Sequence, residues 1–238
     1  RSSDALRQDI RPLRIGLLNL MPDKIAAETQ IARLLGATPL QVELTLVRIT
    51  DHISRNTSAD HMASFYRPWE DVRSDRFDGF IITGAPVERL PFEDVSYWDE
   101  LSAIFDWTQT DVHRSFASCW AAQAALFHFH GLQKRELPAK ALGVFDHEVL
   151  ASRSTYLRGF ADRFPMPVSR WTEIETDALE GCAAVDVLAC SDTTGAGLVY
   201  DEPHQMLHMF NHLEYETATL AQEYARDGGE QMPENYFP

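Results

Sequence analysis

Apolar and polar positions along this 238-residue chain follow two periods that take turns. Leu13-Arg14-Ile15-Gly16-Leu17-Leu18-Asn19-Leu20 is a mostly apolar run that reads as a strand, and Met21-Pro22-Asp23 breaks it. A helical spacing follows over about residues 24–35, with Ile25, Ala26, Ala32, Leu34 and Leu35 among its apolar positions. Val42, Leu44 and Leu46 then alternate with Glu43 and Thr45, a strand pattern that runs on to about Ile49. Phe80-Ile81-Ile82 is the buried core of another strand, entered through Phe77-Asp78-Gly79 and closed by the turn Gly84-Ala85-Pro86. A helix is predicted over about 95–109. It is followed by the short apolar run Ser115-Phe116-Ala117-Ser118 and by Trp120-Ala121-Ala122-Gln123-Ala124-Ala125-Leu126, which is rich in strong helix formers. Later strands are predicted over 141–144, 185–189, 197–200 and 207–210, and a last helix over about 217–226.

Strands that alternate with helices predict parallel βαβ units in a doubly wound, mostly parallel α/β sheet. No linker is long enough to divide the chain, so residues 1–238 read as one domain. The Gly/Pro-containing stretch 138–167 is the place for an insertion. In doubly wound sheets, ligands bind at the carboxyl ends of the strands. Asn19-Leu20-Met21-Pro22, Thr83-Gly84-Ala85-Pro86 and Cys119 all fall at such ends.

Composition narrows the function. The formal charge of −15, from 36 acidic and 21 basic residues, argues against a nucleic-acid partner, whose binding rests on phosphate neutralisation. It leaves room for small-molecule substrates, which need only a few local donors. No apolar run approaches the ~18 residues of a membrane-spanning helix, so no membrane partner is expected. Neither does a secretory signal pattern open the sequence. Three cysteines are too few and too odd for a disulfide framework, which makes a reducing cytoplasm the expected location.

Cys119 carries the candidate chemistry. A cysteine between a strand and a helix sits on a sharp bend at the positive end of the helix, and both conditions favour the thiolate. In such settings a thiol pKa falls from about 8.5 to somewhere between about 3.5 and 7.5. Serine hydrolases place their nucleophile on the same kind of bend. The alternative is a packed core cysteine. A thiol nucleophile needs a base and a group that orients the base. His212 follows the strand pattern at 207–210, and Glu214, two residues on, falls on the same side of an extended segment. A solvated His and Glu in a loop is the other reading. His204, His208 and His212 are spaced by four and would line one face of a helix as zinc ligands, but the strand pattern around them and the missing zincin glutamate speak against a metal. His128 and His130, two apart on a helix, diverge and read as packing or surface residues. The N–H groups of Gly84 and Trp120 could form an oxyanion hole beside the thiol, or Thr83-Gly84-Ala85-Pro86 could be a plain strand-ending turn.

Taken together, several motifs resemble one family. They are Leu18-Asn19-Leu20-Met21-Pro22, Glu28-Thr29, Ser54-Arg55-Asn56-Thr57, Phe80-Ile81-Ile82-Thr83-Gly84-Ala85-Pro86, the Cys119–Leu126 segment, His212-Leu213-Glu214-Tyr215 and Asn235-Tyr236-Phe237-Pro238. In order and spacing they resemble the homoserine O-acyltransferases, which include O-succinyltransferases and O-acetyltransferases. The resemblance implies a class I glutamine-amidotransferase-like (flavodoxin-like) fold and a ping-pong transfer of an acyl group from acetyl-CoA or succinyl-CoA to homoserine in methionine biosynthesis. No bound cofactor is implied. Cys119 is the implied nucleophile, His212 the base and Glu214 its orienter. Lys24, Lys140 and Ser169 match substrate-contacting positions, and Arg226 matches the arginine that holds the amino acid's carboxylate. Glu88 falls where the family selects its donor, a glutamate there resembling the acetyl-using members. A homodimer is the family's expectation. The chain departs from the common Gly-His-Pro-Glu-Tyr pattern with Asn211-His212-Leu213-Glu214-Tyr215. Serine, one methylene shorter than homoserine, is the rival acceptor. True amidotransferases carry glycines around their nucleophile, where this chain has Ser118, Trp120 and Ala121. A non-catalytic α/β binding module would have no need of Cys119, His212 and Glu214 together.

Overall fold

A computed structural model describes residues 9–51 and 56–237; Ser54, Arg55 and Pro238 of the family motifs lie outside the described residues. Strands β1 (Leu13–Leu18), β2 (Val42–Arg48), β3 (Tyr66–Pro68), β4 (Phe77–Ile82), β5 (Val112–Ser118), β6 (Arg135–Val149), β7 (Arg163–Glu173), β8 (Val185–Ser191), β9 (Gly195–Asp201) and β10 (Met206–Met209) form one sheet. Its spatial order is β3-β2-β1-β4-β5-β10-β9-β8-β6-β7. From β3 to β10 every pairing is parallel, and from β10 to β7 every pairing is antiparallel. The helices are α1 (Lys24–Leu35), α2 (Ala59–Phe65), α3 (Trp69–Val72), α4 (Trp98–Asp111), α5 (Trp120–His130), α6 (Thr176–Glu180) and α7 (Thr219–Arg226). The mostly parallel α/β sheet expected from the alternation is therefore present, continued by an antiparallel part.

Local chemistry sets the elements that carry the site. Asp23 caps α1, its carboxylate accepting from the Ala26 N–H at 3.1 Å. Helix α5 packs its first seven residues, Trp120 to Leu126, wholly inside the protein. Its alanines let it lie close to the sheet, while Trp120 fills the space toward Phe92 and Tyr97. Under α4, Phe77, Phe80, Trp69 and Trp107 meet edge to face with ring centroids 5.0–6.5 Å apart. These two aromatic clusters hold β4 and α5 rigidly, and the cleft lies between their ends. A smaller core of Leu157, Met166, Leu188, Leu198 and Met209 secures the antiparallel part of the sheet.

The antiparallel part is where the sequence pattern was least telling. β8, β9 and β10 fall on the predicted strands at 185–189, 197–200 and 207–210, but in the β6–β7 hairpin only residues 141–144 read as a strand, whereas β6 runs from Arg135 to Val149 and pairs with β7 over most of its length. Stretch 138–167 holds most of β6 and the start of β7. Pro138 and Lys140 interrupt the apolar alternation in β6, and the register shifts between Glu136 and Ala141. Pro165 and Pro167 disguise β7, yet they are tolerated because β7 lies at the edge of the sheet. The short elements β3, α2, α3 and α6 also escaped the pattern, being only 3–7 residues long. Among the described residues, no helix is long and apolar enough to cross a membrane.

Gly143, in β6, clamps the segment that follows α7. Its φ is +147°, and a Cβ would sit 2.3 Å from the Glu234 carbonyl oxygen and 2.7 Å from its nitrogen. On either side the Val144 N–H donates to the Glu234 carbonyl at 2.9 Å and the Glu234 N–H to the Leu142 carbonyl at 3.0 Å. Gly143→Ala is expected to cost on the order of 2 kcal/mol or more in urea unfolding. It should also speed proteolysis at residues 228–235. An unchanged midpoint would show that the clamp is dispensable.

Candidate active site

Between the last residue of β5 and the first of α5 lies one residue, Cys119. Its backbone sits at φ 50°, ψ −119°, a conformation that side-chain-bearing residues seldom adopt. The strained bend is held by the Cys119 N–H, which donates to the Met209 carbonyl at 2.7 Å. That bond continues the parallel pairing of β5 with β10, in which Ser118 lies opposite Met209. The chain leaving β10 therefore passes beside Cys119 and reaches His212 three residues later.

His212 is fixed on several sides. Its N–H donates to the Pro167 carbonyl at 2.9 Å, and its ring stacks on Tyr215 at 4.2 Å and 17°. Nδ1 lies 2.7 Å from Glu214 Oε1, which leaves Nε2 to meet the Cys119 sulfur. Asn211 anchors the turn: Arg170, buried to 1 % exposure, donates to Asn211 Oδ1 at 2.9 Å, and Asn211 Nδ2 lies 2.8 Å from His147 Nε2. These two bonds give the Asn211 side chain a structural role at this turn. Burial alone would lower the His212 pKa. The Glu214 carboxylate and the Cys119 sulfur outweigh burial and hold it well above the ordinary histidine value. The imidazole of the pair is thus held as the cation.

A cleft of about 590 Å³ opens over the sulfur. Gly84 forms the wall nearest the thiol; a Cβ there would sit 3.0 Å from the Cys119 Cβ and 3.6 Å from the Trp120 nitrogen. Among the described residues, neither the Gly84 N–H nor the Trp120 N–H finds a backbone acceptor in the loops and caps. The facing wall carries Lys140, Ser169 and Arg226, and Glu88 lines the cleft further out. Cys119, His212, Gly84, Glu88, Lys140, Ser169 and Arg226 therefore meet in one cleft. Three others named from sequence do not line it. Glu214 stands behind His212, and Trp120, whose side chain is fully buried, brings only its N–H. The Lys24 ammonium turns inward to the carbonyls of Asn19 (2.6 Å) and Met21 (3.3 Å). Burial lowers the Lys24 pKa to about 8, against the opposing pull of Glu28. Lys24 thus braces the Met21-Pro22 wall. Glu28 braces the same wall, accepting from Tyr66 at 2.6 Å, whose hydroxyl accepts from Asn19 Nδ2 at 2.8 Å.

Sequence reading missed Glu223, a carboxylate at the centre of the facing wall. Tyr215 donates to Glu223 Oε1 at 2.7 Å, Ser169 donates to Oε2, and the Lys140 ammonium lies 3.7 Å away. Lys140 also pairs with Asp227 at 2.7 Å, as does Arg226 at 3.0 Å. The signal that could have found Glu223 is its place three residues before Arg226, on the same helical face. The histidines at 204, 208 and 212 share no helix, because Met206–Met209 is strand β10. His204 turns to Asp201 at 2.9 Å while His212 turns to Glu214.

Solved structures that share this architecture include glutamine amidotransferases, so the fold is class I amidotransferase-like. A glutamine amidotransferase from Thermotoga maritima aligns with TM-score 0.63 at 9% identity, covering 93% of this chain and 84% of that one. A glutamine amidotransferase from Methylobacillus flagellatus gives 0.59 at 11%, covering 97% and 81%. Identities this low establish the fold alone. The family model described as homoserine O-succinyltransferase matches residues 1–238. Homoserine O-acetyltransferase of Rhizorhabdus wittichii is 64% identical over 238 residues, all of this chain and 75% of that protein. The enzyme of the same name from Brucella canis is 62% identical over 242 residues, all of this chain and 79% of that protein. The chain belongs to this homoserine O-acyltransferase family.

If the Glu214 carboxylate sustains the raised His212 pKa, Glu214→Gln removes the largest favourable contribution and lets burial dominate. The His212 pKa, followed by NMR of its ring protons, is expected to fall. An unchanged titration would detach Glu214 from the histidine.

Proposed function

We propose that this chain is a homoserine O-acyltransferase of methionine biosynthesis that carries the acyl group on Cys119 between two half-reactions. The observation that carries this reading is the alignment of Cys119, His212 and Glu214 at the base of a cleft whose facing wall presents both Lys140/Arg226 and Glu223. Such a wall suits a zwitterionic amino acid, with Arg226 for the carboxylate and Glu223 for the ammonium.

In the first half-reaction the Cys119 sulfur, its proton held by His212, attacks the thioester carbonyl of acyl-CoA. The carbonyl oxygen gains charge and is received by the N–H groups of Gly84 and Trp120. A Cys119–acyl bond forms, the bond to the CoA sulfur breaks, and the CoA thiolate leaves with the proton from His212. In the second, the homoserine hydroxyl gives its proton to His212 and attacks the acyl-cysteine. Collapse releases O-acylhomoserine and returns the proton-bearing His212 beside Cys119. Glu214 keeps the imidazole in one orientation throughout. Ser169 and Lys140 hold the acceptor side of the cleft.

Acetyl is the proposed acyl group. The relatives carry the name acetyltransferase, and Glu88 brings a carboxylate to the cleft. A succinyl group ends in a carboxylate of its own, and two like charges about 4 Å apart at an effective dielectric of about 20 repel by ~4 kcal/mol. Lys134, which donates to the Glu88 and Leu90 carbonyls, fixes this loop and offsets part of that charge. Homoserine is the proposed acceptor over serine, a distinction of one methylene, or about 1–3 kcal/mol.

Two outcomes follow. Incubation with acetyl-CoA alone is expected to add one acetyl mass to the peptide that contains Cys119, and Cys119→Ala should remove both adduct and turnover. An adduct elsewhere in an active enzyme would overturn the assignment. The wild type should favour acetyl-CoA over succinyl-CoA in kcat/KM, with Glu88→Gly shifting the ratio toward succinyl-CoA by about tenfold or more. A wild type that favours succinyl-CoA contradicts the donor assignment while leaving the Cys119 chemistry intact.

A further inference from the structure

At the far end of α5 from Cys119, about 16 Å away by helical rise, a second cluster of chemically able side chains gathers around Asp201. We infer that His130, Asp201 and His204 form a binding site for one divalent cation of the zinc class, separate from the acyl-transfer cleft. His130 Nε2, a carboxylate oxygen of Asp201 and His204 Nδ1 all lie within 4.8 Å of one another. The three come from different elements: His130 is the last residue of α5, Asp201 the last of β9, and His204 sits in the turn to β10. Asp201 is central, with its carboxylate 2.6 Å from His130 Nε2 and 2.9 Å from His204 Nδ1.

A second observation points to a ligand. His208 is fully buried, and neither of its ring nitrogens reaches a partner at normal hydrogen-bond distance and angle, although the Asp201 carboxylate and the Ala122 backbone lie near enough to act on it. Its Nε2 is aimed at Asp201, 3.9 Å from Oδ2. A buried ring left in this state is costly. Both oxygens of Asp201 face His130 and His204, and that position keeps the carboxylate 3.9 Å from His208 Nε2, too long for a good hydrogen bond. An ion changes the distribution. When His130 and His204 bond to a cation, the carboxylate can reposition: one Asp201 oxygen joins the ion and the other can close the gap to His208. The orphaned ring then becomes the outer partner that metal-bound carboxylates ordinarily have.

The surroundings fit. Two imidazoles and one carboxylate are a nitrogen-rich donor set that suits zinc rather than calcium or magnesium. His130 stands at a helix carboxyl terminus, where the dipole favours positive charge. His204 is held in orientation by stacking on Phe129 at 3.9 Å and 16°. The side chains of His130 and His204 are 10% and 24% exposed, which gives an ion an entry and a water its fourth position. Bond lengths of about 2.0–2.2 Å require the histidine–carboxylate contacts to open by roughly half an ångström, within reach of side-chain rotation. Each ring shifts its proton to its other nitrogen, and a doubly protonated ring gives one to solvent. The ion would tie β9 and the turn before β10 to α5.

The test uses Cys119→Ala protein, freed of metal by chelator dialysis so that the cleft thiol cannot compete, and titrated with Co²⁺ and Zn²⁺ by calorimetry and visible absorption. One equivalent should bind, with cobalt bands of a nitrogen/oxygen set and no sulfur charge-transfer band. Saturation should raise the thermal midpoint. His204→Gln, at a partly exposed turn, should weaken binding at least tenfold and abolish the thermal shift, and adding His130→Gln should remove binding. Absence of saturable uptake, a sulfur charge-transfer band, or full affinity in His204→Gln would overturn the inference and leave the cluster a hydrogen-bonded brace.

Discussion

The site depends on one parallel pairing. Because β10 lies beside β5 with Met209 opposite Ser118, and because the Cys119 N–H reaches across to the Met209 carbonyl, two segments about ninety residues apart emerge at the same end of the sheet. One delivers the cysteine on its strained bend and the other delivers His212. Without that bond the bend would relax, since its backbone conformation is unfavourable for any residue with a side chain. The deep burial of α5 and the aromatic clusters on either side supply the rigidity that keeps the bend in place.

Electrostatics divides the cleft into two halves. On one side a buried histidine is held charged by a carboxylate and a sulfur, against the desolvation that would neutralise it. On the other, Lys140, Glu223, Asp227 and Arg226 form a network in which each charge has a partner of opposite sign. Such a network lets a zwitterion enter by exchanging partners rather than by stripping an unpaired charge of water. The wall between the halves, from Asn19 to Pro22, is stiffened from behind by Lys24, Tyr66 and Glu28, so residues that never face the cleft set its shape.

Much of this was legible in the chain. The βα alternation revealed the parallel half of the sheet, and α1 runs over the residues the apolar spacing indicated, because Asp23 gives it a definite start. Cys119, His212 and Glu214 were legible because strand ends mark ligand sites; the extended geometry expected for His212–Glu214 is instead a turn at 213–214, closed by the Tyr215 N–H to the His212 carbonyl at 3.3 Å, which still brings Glu214 Oε1 to 2.7 Å from His212 Nδ1. In the antiparallel half β8 and β9 were legible and the β6–β7 hairpin was obscure, since it is interrupted by prolines and charged residues whose partners lie on the opposite strand. Glu223 was hidden for a related reason: a carboxylate on an amphipathic helix looks solvated until Ser169 and Tyr215, from two other segments, close over it. Lys24 illustrates the opposite case, a motif residue whose role reads as substrate contact and whose ammonium is spent on the backbone beneath the wall.

The central claim is that acyl transfer passes through the protein rather than directly between substrates. Isotope exchange tests it most directly. With no homoserine present, the enzyme should move labelled CoA into unlabelled acetyl-CoA, because Cys119 can take the acetyl group from one CoA and return it to another. The exchange should vanish in Cys119→Ala. An enzyme that forms O-acetylhomoserine yet catalyses no exchange until homoserine is added would contradict the account and require both substrates to react in one complex.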